Sequence, residues 1–262
     1  NKTKEAGSCD NTVLVGRMRR EKMRLDKFLA ECSGNTRSEV KKWLKAGGVT
    51  VNGAPVLKPE TKIDPEKDVV ALQGKQLFYS SFVGLMCHKP AGCVTATQDR
   101  CQKTVMDYID HPRKKDVFPV GRLDLDTEGL LFLINDGDLS HRMLSPRHHV
   151  PKTYEAQIAG EVTKEDVQAF EEGVDIGEKK KTLPAQLEIL EVNAGETPTS
   201  QIRLTICEGK FHQVKRMFEA RGKKVTYLKR VSMAGIALDE VLKPGEWREL
   251  TAEEAERLRE SC

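Results

Sequence analysis

The sequence predicts an α+β chain in two parts: a small N-terminal module of two helices and a β-hairpin, then a large, mostly antiparallel sheet flanked by helices. Three observations predict it. Apolar residues at helical spacing between Leu25 and Leu44 give way to Val49-Thr50-Val51-Asn52-Gly53, a strong hairpin signal. Beyond Val83, short alternating or continuous apolar runs outnumber helical segments, and few strand–helix–strand units occur. Charge is uneven: residues 1–75 carry 16 Lys and Arg against 10 Asp and Glu, and the remaining 187 carry 27 against 30. A basic small unit joined to a nearly neutral large one suggests an anchoring module beside a working domain, and a phosphate backbone is the commonest partner of such a module.

The length of 262 residues suits one large domain or two smaller ones. With 38% hydrophobic and 32% charged residues, a core forms beneath a very polar surface. No run of about 18 apolar residues predicts a membrane helix. No apolar signal region opens the chain, so secretion is not expected. Residues 1–22 read as a disordered extension or remnant without structural role. Seven scattered cysteines, an odd count without a CxxC pair, fit reduced thiols in a cytoplasm. Cys87, His88, Cys93 and Cys101 match no usual structural zinc spacing. Cys87 is expected to face the core of a strand.

The elements follow in order. Leu25, Phe28 and Leu29 place a short helix after Met23. Asn35 or Thr36 can cap a second helix with Val40, Trp43 and Leu44 on one face, beside Arg37, Lys41 and Lys45 at four-residue steps. Such a cationic stripe suits a phosphate backbone, although a solvated face is the commoner role of such a stripe. Gly47-Gly48 ends this helix. Strands follow at Val49–Val51 and Asp68–Leu72, closing a module over 23–72, with a linker over 73–82. A larger domain over 83–255 opens with a strand at Val83–His88 and a turn at Lys89-Pro90-Ala91-Gly92. Val94–Thr97 reads as a strand edge, Val105–Ile109 as a short helix and Leu130–Ile134 as a buried strand. Helices are expected at Leu139–Leu144, Lys164–Glu172 and Phe211–Ala220. Strands are expected at Tyr154–Ile158, 185–192, 201–207, Val225–Leu228 and Ile236–Leu238. A helix over Ala252–Glu260 runs into a tail at 256–262.

Three stretches carry chemistry. Gly121-Arg122-Leu123-Asp124-Leu125-Asp126-Thr127-Glu128-Gly129-Leu130-Leu131 sets a carboxylate between apolar residues behind an arginine, in a turn that opens onto a strand. Asp124 so framed is a candidate nucleophile or base; the competing reading is an aspartate that caps a turn. Ser145-Pro146-Arg147-His148-His149-Val150-Pro151-Lys152-Thr153-Tyr154 holds adjacent histidines, which on a strand point to opposite faces and so rarely chelate one ion. Glu208-Gly209-Lys210-Phe211-His212-Gln213-Val214-Lys215-Arg216-Met217-Phe218 starts a strongly cationic helix, whose amide dipoles add positive potential suited to an anion or a buried carboxylate. Ser145 lacks the glycines of a nucleophile elbow. No P-loop or GxGxxG opens a helix, so no nucleotide cofactor is indicated. Asp124 and Asp126 have no second cluster to make them a glycosidase pair.

Residues 23–70 resemble the S4-like RNA-binding domain, through Met23-Arg24-Leu25-Asp26-Lys27-Phe28-Leu29, Thr36-Arg37-Ser38-Glu39-Val40 and Gly48-Val49-Thr50-Val51-Asn52-Gly53. Members bind structured RNA through the two-helix face, which makes Arg24, Lys27, Arg37, Ser38, Lys41 and Lys45 candidate contacts. GRLDLDTEGLL, SHRMLSPRHHVPKTYEAQI and EGKFHQVKRMFEARG look like the RsuA branch of the RsuA/RluA-type pseudouridine synthases, and the resemblance spans about Met23 to Glu253. It implies isomerisation of a specific uridine in ribosomal RNA to pseudouridine, with no cofactor and no metal. The SPRHH element most resembles the branch that acts on 16S small-subunit RNA.

The resemblance makes Asp124 the catalytic aspartate, Tyr154 the tyrosine that stacks on the target base, Lys215 the basic residue paired with the aspartate, and Arg122 the arginine near the flipped nucleotide. Leu123 and Leu130 would floor the pocket. Arg147, Lys152, His212 and Arg216 are further candidate RNA contacts, and Asp126 reads as a turn-stabilising neighbour. A buried core tyrosine and a solvated lysine are the competing readings of Tyr154 and Lys215. Flipping the base costs a few kcal/mol, and stacking on Tyr154 returns about 1–3 kcal/mol. Two alternatives remain: a large-subunit RNA synthase of the same family, and a non-catalytic RNA-binding ribosome-assembly factor. A monomer acting on ribosomal RNA or a subunit assembly intermediate, away from any membrane, is expected.

Overall fold

The computed structural model describes residues 22–262, so the extension expected over 1–22 lies, but for Lys22, outside the described residues. The chain divides into two compact units that meet in sequence at Tyr79 and Ser80.

In the first unit, β1 (Met23–Arg24) leads into α1 (Leu25–Ser33), which Gly34 ends at φ 74, donating its N–H to Ala30. α2 (Arg37–Lys45) starts in a reciprocal capping box between Thr36 and Glu39, which settles the cap on Thr36. β2 (Val49–Val51) turns through Asn52 and Gly53, both at positive φ, into β3 (Ala54–Pro55). β4 (Lys62–Ile63) pairs with β1, and β5 (Val70–Leu72) with β2. Leu25, Phe28, Leu29, Val40, Leu44, Val49, Ile63 and Val70 form the core.

The segment expected as a linker, 73–82, is shorter than its sequence suggests. Gln73 and Gly74, both at positive φ, close a second hairpin, and β6 (Lys75–Leu77) pairs along β5 with Leu77 against the core.

The second unit is built on one sheet, nine-stranded among the described residues. Its strands are β7 (Gly84–Lys89), β8 (Phe118–Pro119), β9 (Glu128–Ile134), β10 (Lys152–Ala159), β11 (Gln186–Asn193), β12 (Thr199–Ile206), β13 (Lys224–Met233), β14 (Ile236–Ala237) and β15 (Trp247–Glu249). The order is β11-β12-β10-β13-β9-β7-β15, with β14 on β13 and β8 on β9. All pairings in this sheet are antiparallel except β13 with β9, which meet over two residue pairs, Lys229 with Glu128 and Arg230 with Gly129.

β7 and β9 are buried on both faces, which explains their unbroken apolar runs. Leu85, Cys87, Leu131 and Leu133 face one core with Phe170 and Phe218, from α4 (Lys164–Glu172) and α5 (Gln213–Glu219). Met86, Leu130, Phe132 and Ile134 face the other with Leu139 and Met143, from α3 (Gly137–Leu144), and Leu258 from α6 (Ala252–Glu260).

Several boundaries differ from expectation. The strand edge expected at Val94–Thr97 reduces to a single bridge between Val94 and Thr104, and the Thr95 hydroxyl bonds the Leu123 backbone. The short strand at Val225–Leu228 is part of the ten-residue β13, whose alternation two register shifts against β10 interrupt. The tail expected at 256–262 begins inside α6, where Leu258 is fully buried. Cys87 packs in the core, and burial pushes its thiol pKa up to about 12. No helix among the described residues is long and apolar enough to cross a membrane.

Candidate functional site

A cavity of about 710 Å³ lies in the second unit, lined among others by Arg122, Leu123, Asp124, Lys152, Tyr154, His212 and Lys215. Its position follows from the segment before β9. Gly121 turns the chain at φ 77. The Thr95 hydroxyl then binds both backbone groups of Leu123, accepting from N–H at 3.1 Å and donating to the carbonyl at 2.8 Å. Gly92 N–H holds the Leu125 carbonyl at 2.7 Å, and Thr127 N–H closes a turn onto Asp124 at 3.1 Å.

Lys89, at the end of β7, finishes the clamp. Its ammonium is fully buried and donates to the carbonyls of Pro90, Asp124 and Thr127 at 3.0, 3.0 and 2.9 Å. Burial lowers its pKa, against the pull of Cys93, Asp124, Asp126 and Glu128. The backbone around Asp124 is thereby fixed at four successive points, while the carboxylate projects toward the cavity.

α5 brings the cations. Its N-cap, His212, sits at φ 48 with its ring stacked on Phe211, centroids 3.7 Å apart, and its Nε2 lies 3.5 Å from Asp124. Lys215 Nζ stands 3.3 Å from Asp124 Oδ2 and 2.6 Å from Asp126 Oδ1. Burial disfavours this ammonium, but the Asp126 hydrogen bond and the charges of Asp124 and Asp126 outweigh it, so its pKa is raised. The same hydrogen bond holds Asp126 below the usual carboxylate range. Asp126, expected to stabilise the turn, instead shares the lysine with Asp124.

Tyr154, Leu123, Val214, Ile206 and Leu228 give the cavity apolar surface, with Tyr154 and Leu123 largely buried. Exposed Phe211, Leu125 and Arg122 also line it. Leu130, expected in the floor, packs in the core on the other face, because alternation along β9 sends Leu131 and Leu133 to the cavity's side of the sheet.

The other candidates scatter. Arg216 is held by Glu178 at 2.8 Å and the Phe211 carbonyl at 3.1 Å, and does not line the cavity. Arg147 is exposed on a 3-10 turn that also contains His148, so the strand argument for the paired histidines does not apply. Lys152 is buried in the cavity wall. In the first unit Arg24 pairs with Asp26 at 2.9 Å and Lys27 with Glu31 at 3.6 Å, while Arg37, Ser38, Lys41 and Lys45 are exposed. Among the described residues, no cluster of three or more His, Cys, Asp or Glu side chains could hold a metal ion.

Sequence reasoning missed Lys89, Thr95, Thr127 and Arg230. Lys89 reads as the start of a turn and Arg230 follows Lys229 beyond the expected strand, so neither is marked as buried by its near neighbours.

The chain is similar to proteins of one kind. Residues 84–220 match the family described as RNA pseudouridylate synthase, and residues 23–70 match the S4 domain. An uncharacterized RNA pseudouridine synthase of Bacillus subtilis, YtzG, is 47% identical over 91% of this chain and 99% of its own. The ribosomal small subunit pseudouridine synthase A of Escherichia coli is 43% identical over 88% of this chain and 98% of its own. A crystal structure of a pseudouridylate synthase, 40% identical, covers 90% of this chain and 99% of its own with a TM-score of 0.63.

Proposed function

The chain belongs to the RNA pseudouridylate synthase family, and on that premise we propose that it isomerises one uridine of small-subunit ribosomal RNA to pseudouridine, with Asp124 as the catalytic carboxylate. The observation that carries this reading is the convergence of Asp124, Lys215 and Tyr154 on one cavity from three separate elements. A uridine leaves its stack to reach such a cavity. Tyr154 offers its ring as a replacement stacking surface, and exposed Arg122, which also lines the cavity, fills the place the base vacates in this proposal. The C1′–N1 bond breaks, the uracil turns, C5 bonds to C1′, and the C5 proton is lost as N1 gains one. Reactant and product are isomers, so the balance needs no co-reactant.

Extrusion costs a few kcal/mol, which phosphate contacts elsewhere offset. Exposed Arg37, Lys41 and Lys45 on α2 supply such contacts in the proposal, with Ser38 beside them. The relatives named for the small ribosomal subunit favour small-subunit RNA over large-subunit RNA as the substrate. The protein acts in this reading as a cytoplasmic monomer, on ribosomal RNA or an assembly intermediate.

The test incubates the protein with unmodified small-subunit and large-subunit RNA and maps pseudouridine by carbodiimide labelling and primer extension. One new stop in the small-subunit RNA, abolished by Asp124→Asn, is expected. Equal product from Asp124→Asn would overturn the catalytic assignment, and a stop confined to large-subunit RNA would move the substrate.

A further inference from the structure

The inner wall of the cavity carries polar groups that the protein itself does not satisfy. Thr127, Arg230 and Lys152 line it at 1%, 2% and 6% exposure. The Thr127 hydroxyl and Arg230 Nη2 have no hydrogen-bond partner among the protein's described residues. Arg230 Nε donates to the Leu130 carbonyl at 2.8 Å, and Lys152 Nζ donates to the Val150 carbonyl at 3.1 Å. Neither cation is paired with a carboxylate among the described residues. A guanidinium has five N–H donors and an ammonium three, so most of this donor capacity is unused. Buried unpaired cations and orphaned donors are costly and rare, and where they line a cavity an acceptor-rich ligand would satisfy them.

Strand geometry shows what kind of ligand. Lys152 and Tyr154 are two residues apart on β10, and Arg230 is the direct cross-strand partner of Tyr154. A ring stacked on Tyr154 therefore has its edge beside the two cations. That edge must be rich in acceptors and able to bear negative charge.

We propose that Arg230, Lys152 and Thr127 form a donor subsite for the C2 and C4 carbonyl oxygens of the flipped uracil, stabilising the anion it becomes when the C1′–N1 bond breaks. This rests on the reading of the cavity as a uridine pocket. The electron pair of the broken bond leaves with the base and spreads over N1, O2 and O4. Donors fixed beforehand at those oxygens hold the freed base while it turns, and their attraction is greatest in the transition state, where the charge develops. Pseudouridine formation then consumes the charge as C5 bonds to C1′ and N1 is protonated.

Lys152 must be cationic to serve. Burial and the neighbouring Arg230 push its pKa down to about 8, against Cys207 and Glu208 at the end of β12. Asp124, Lys215, His212, Asp99 and Lys210 also face this cavity. The subsite thus loses one charge as pH rises through about 8.

The experiment measures single-turnover rate and RNA dissociation constant for the full chain with unmodified small-subunit RNA, from pH 6 to 9.5. Lys152→Met should lower the rate about 100-fold while leaving the dissociation constant within twofold. Wild type should lose rate above pH about 8, and Lys152→Arg should keep its rate there. Thr127→Val, nearly isosteric, should show a smaller loss with the same split, which guards against a folding artefact. Wild-type rates in both Lys152→Met and Thr127→Val would overturn the subsite. So would weakened RNA binding without a rate loss, which would make it a phosphate contact. If wild type forms no pseudouridine, the uridine reading fails and the subsite with it. If wild type reacts and only Asp124→Asn is dead, the subsite alone fails.

Discussion

Gly129→Ala tests the tightest backbone approach around the site. Gly129, the second residue of β9, sits at φ 109, a value that L side chains rarely adopt. An added Cβ would stand 2.2 Å from the Arg230 carbonyl oxygen and 2.6 Å from its nitrogen. Both obstacles are backbone atoms, so no rotamer change relieves them. Forcing such a φ costs about 1–3 kcal/mol, and the overpacking another 1–3 kcal/mol. The expected loss is about 2–6 kcal/mol, a large part of the roughly 5–15 kcal/mol that holds a typical domain. Urea unfolding can read it in a Trp43→Phe background, where Trp247 on β15 becomes the only tryptophan and reports on the second unit. Gly222→Ala is the control: φ there is 69 and nothing lies within 4 Å, so the cost is about 1–2 kcal/mol. A Gly129→Ala loss no larger than that of Gly222→Ala would refute the close-approach reasoning.

Three further outcomes follow from the geometry. Lys215→Met removes the hydrogen bond that keeps Asp126 below its ordinary pKa of 3.8, so the stabilisation it gives, present above that value, disappears. The difference in urea midpoint between wild type and variant should shrink as pH falls from 6 to 3. Replacing Arg37, Lys41 and Lys45 together by Gln should flatten the slope of log affinity against log salt by about 2–3, at about 0.7–0.9 per cation; an unchanged slope would exclude α2 from the RNA interface. The depressed pKa of Lys152 means that the unfolded chain binds more protons between about pH 8 and 10.5. Stability should therefore rise with pH across that window, by about 3 kcal/mol at most, and Lys152→Met should remove the rise.

Much of this architecture is written in local patterns. The capping box at Thr36, the Asn52-Gly53 hairpin and the buried runs of β7 and β9 depend on near neighbours and read directly from the residues. Asp124, Tyr154 and Lys215 were legible as a family motif, and the fold brings them to one cavity. What was illegible depends on partners distant in sequence. Lys89 looks like the first residue of a turn, and only the return of the Asp124 segment, 35 residues later, gives its ammonium three carbonyls. Arg216 reads as an RNA contact until Glu178 arrives beside it. Leu130 reads as pocket floor but packs in the opposite core, because a continuous apolar run does not say which way a doubly buried strand alternates. The strand hidden in the expected linker, β6, needed only the Gln73-Gly74 turn to be recognised without an Asn or Asp in its first position.

The seam between β9 and β13 has a consequence for how activity is gained. It is two residue pairs long, yet it is where β7, β9 and β15 join β10 through β13. Asp124 and Lys89 arrive from one side of it, and Tyr154, Lys152, Lys215 and Arg230 from the other. Apart from β15 on β7, the strands on each side pair through contacts nearer in sequence than the seam, which joins Glu128 to Lys229 and Gly129 to Arg230. Such distant closure pays the larger loop entropy and so comes late. The carboxylate and its cations therefore meet only once this distant contact has formed, and the enzyme's first turnover reports that the two sides of its sheet have joined.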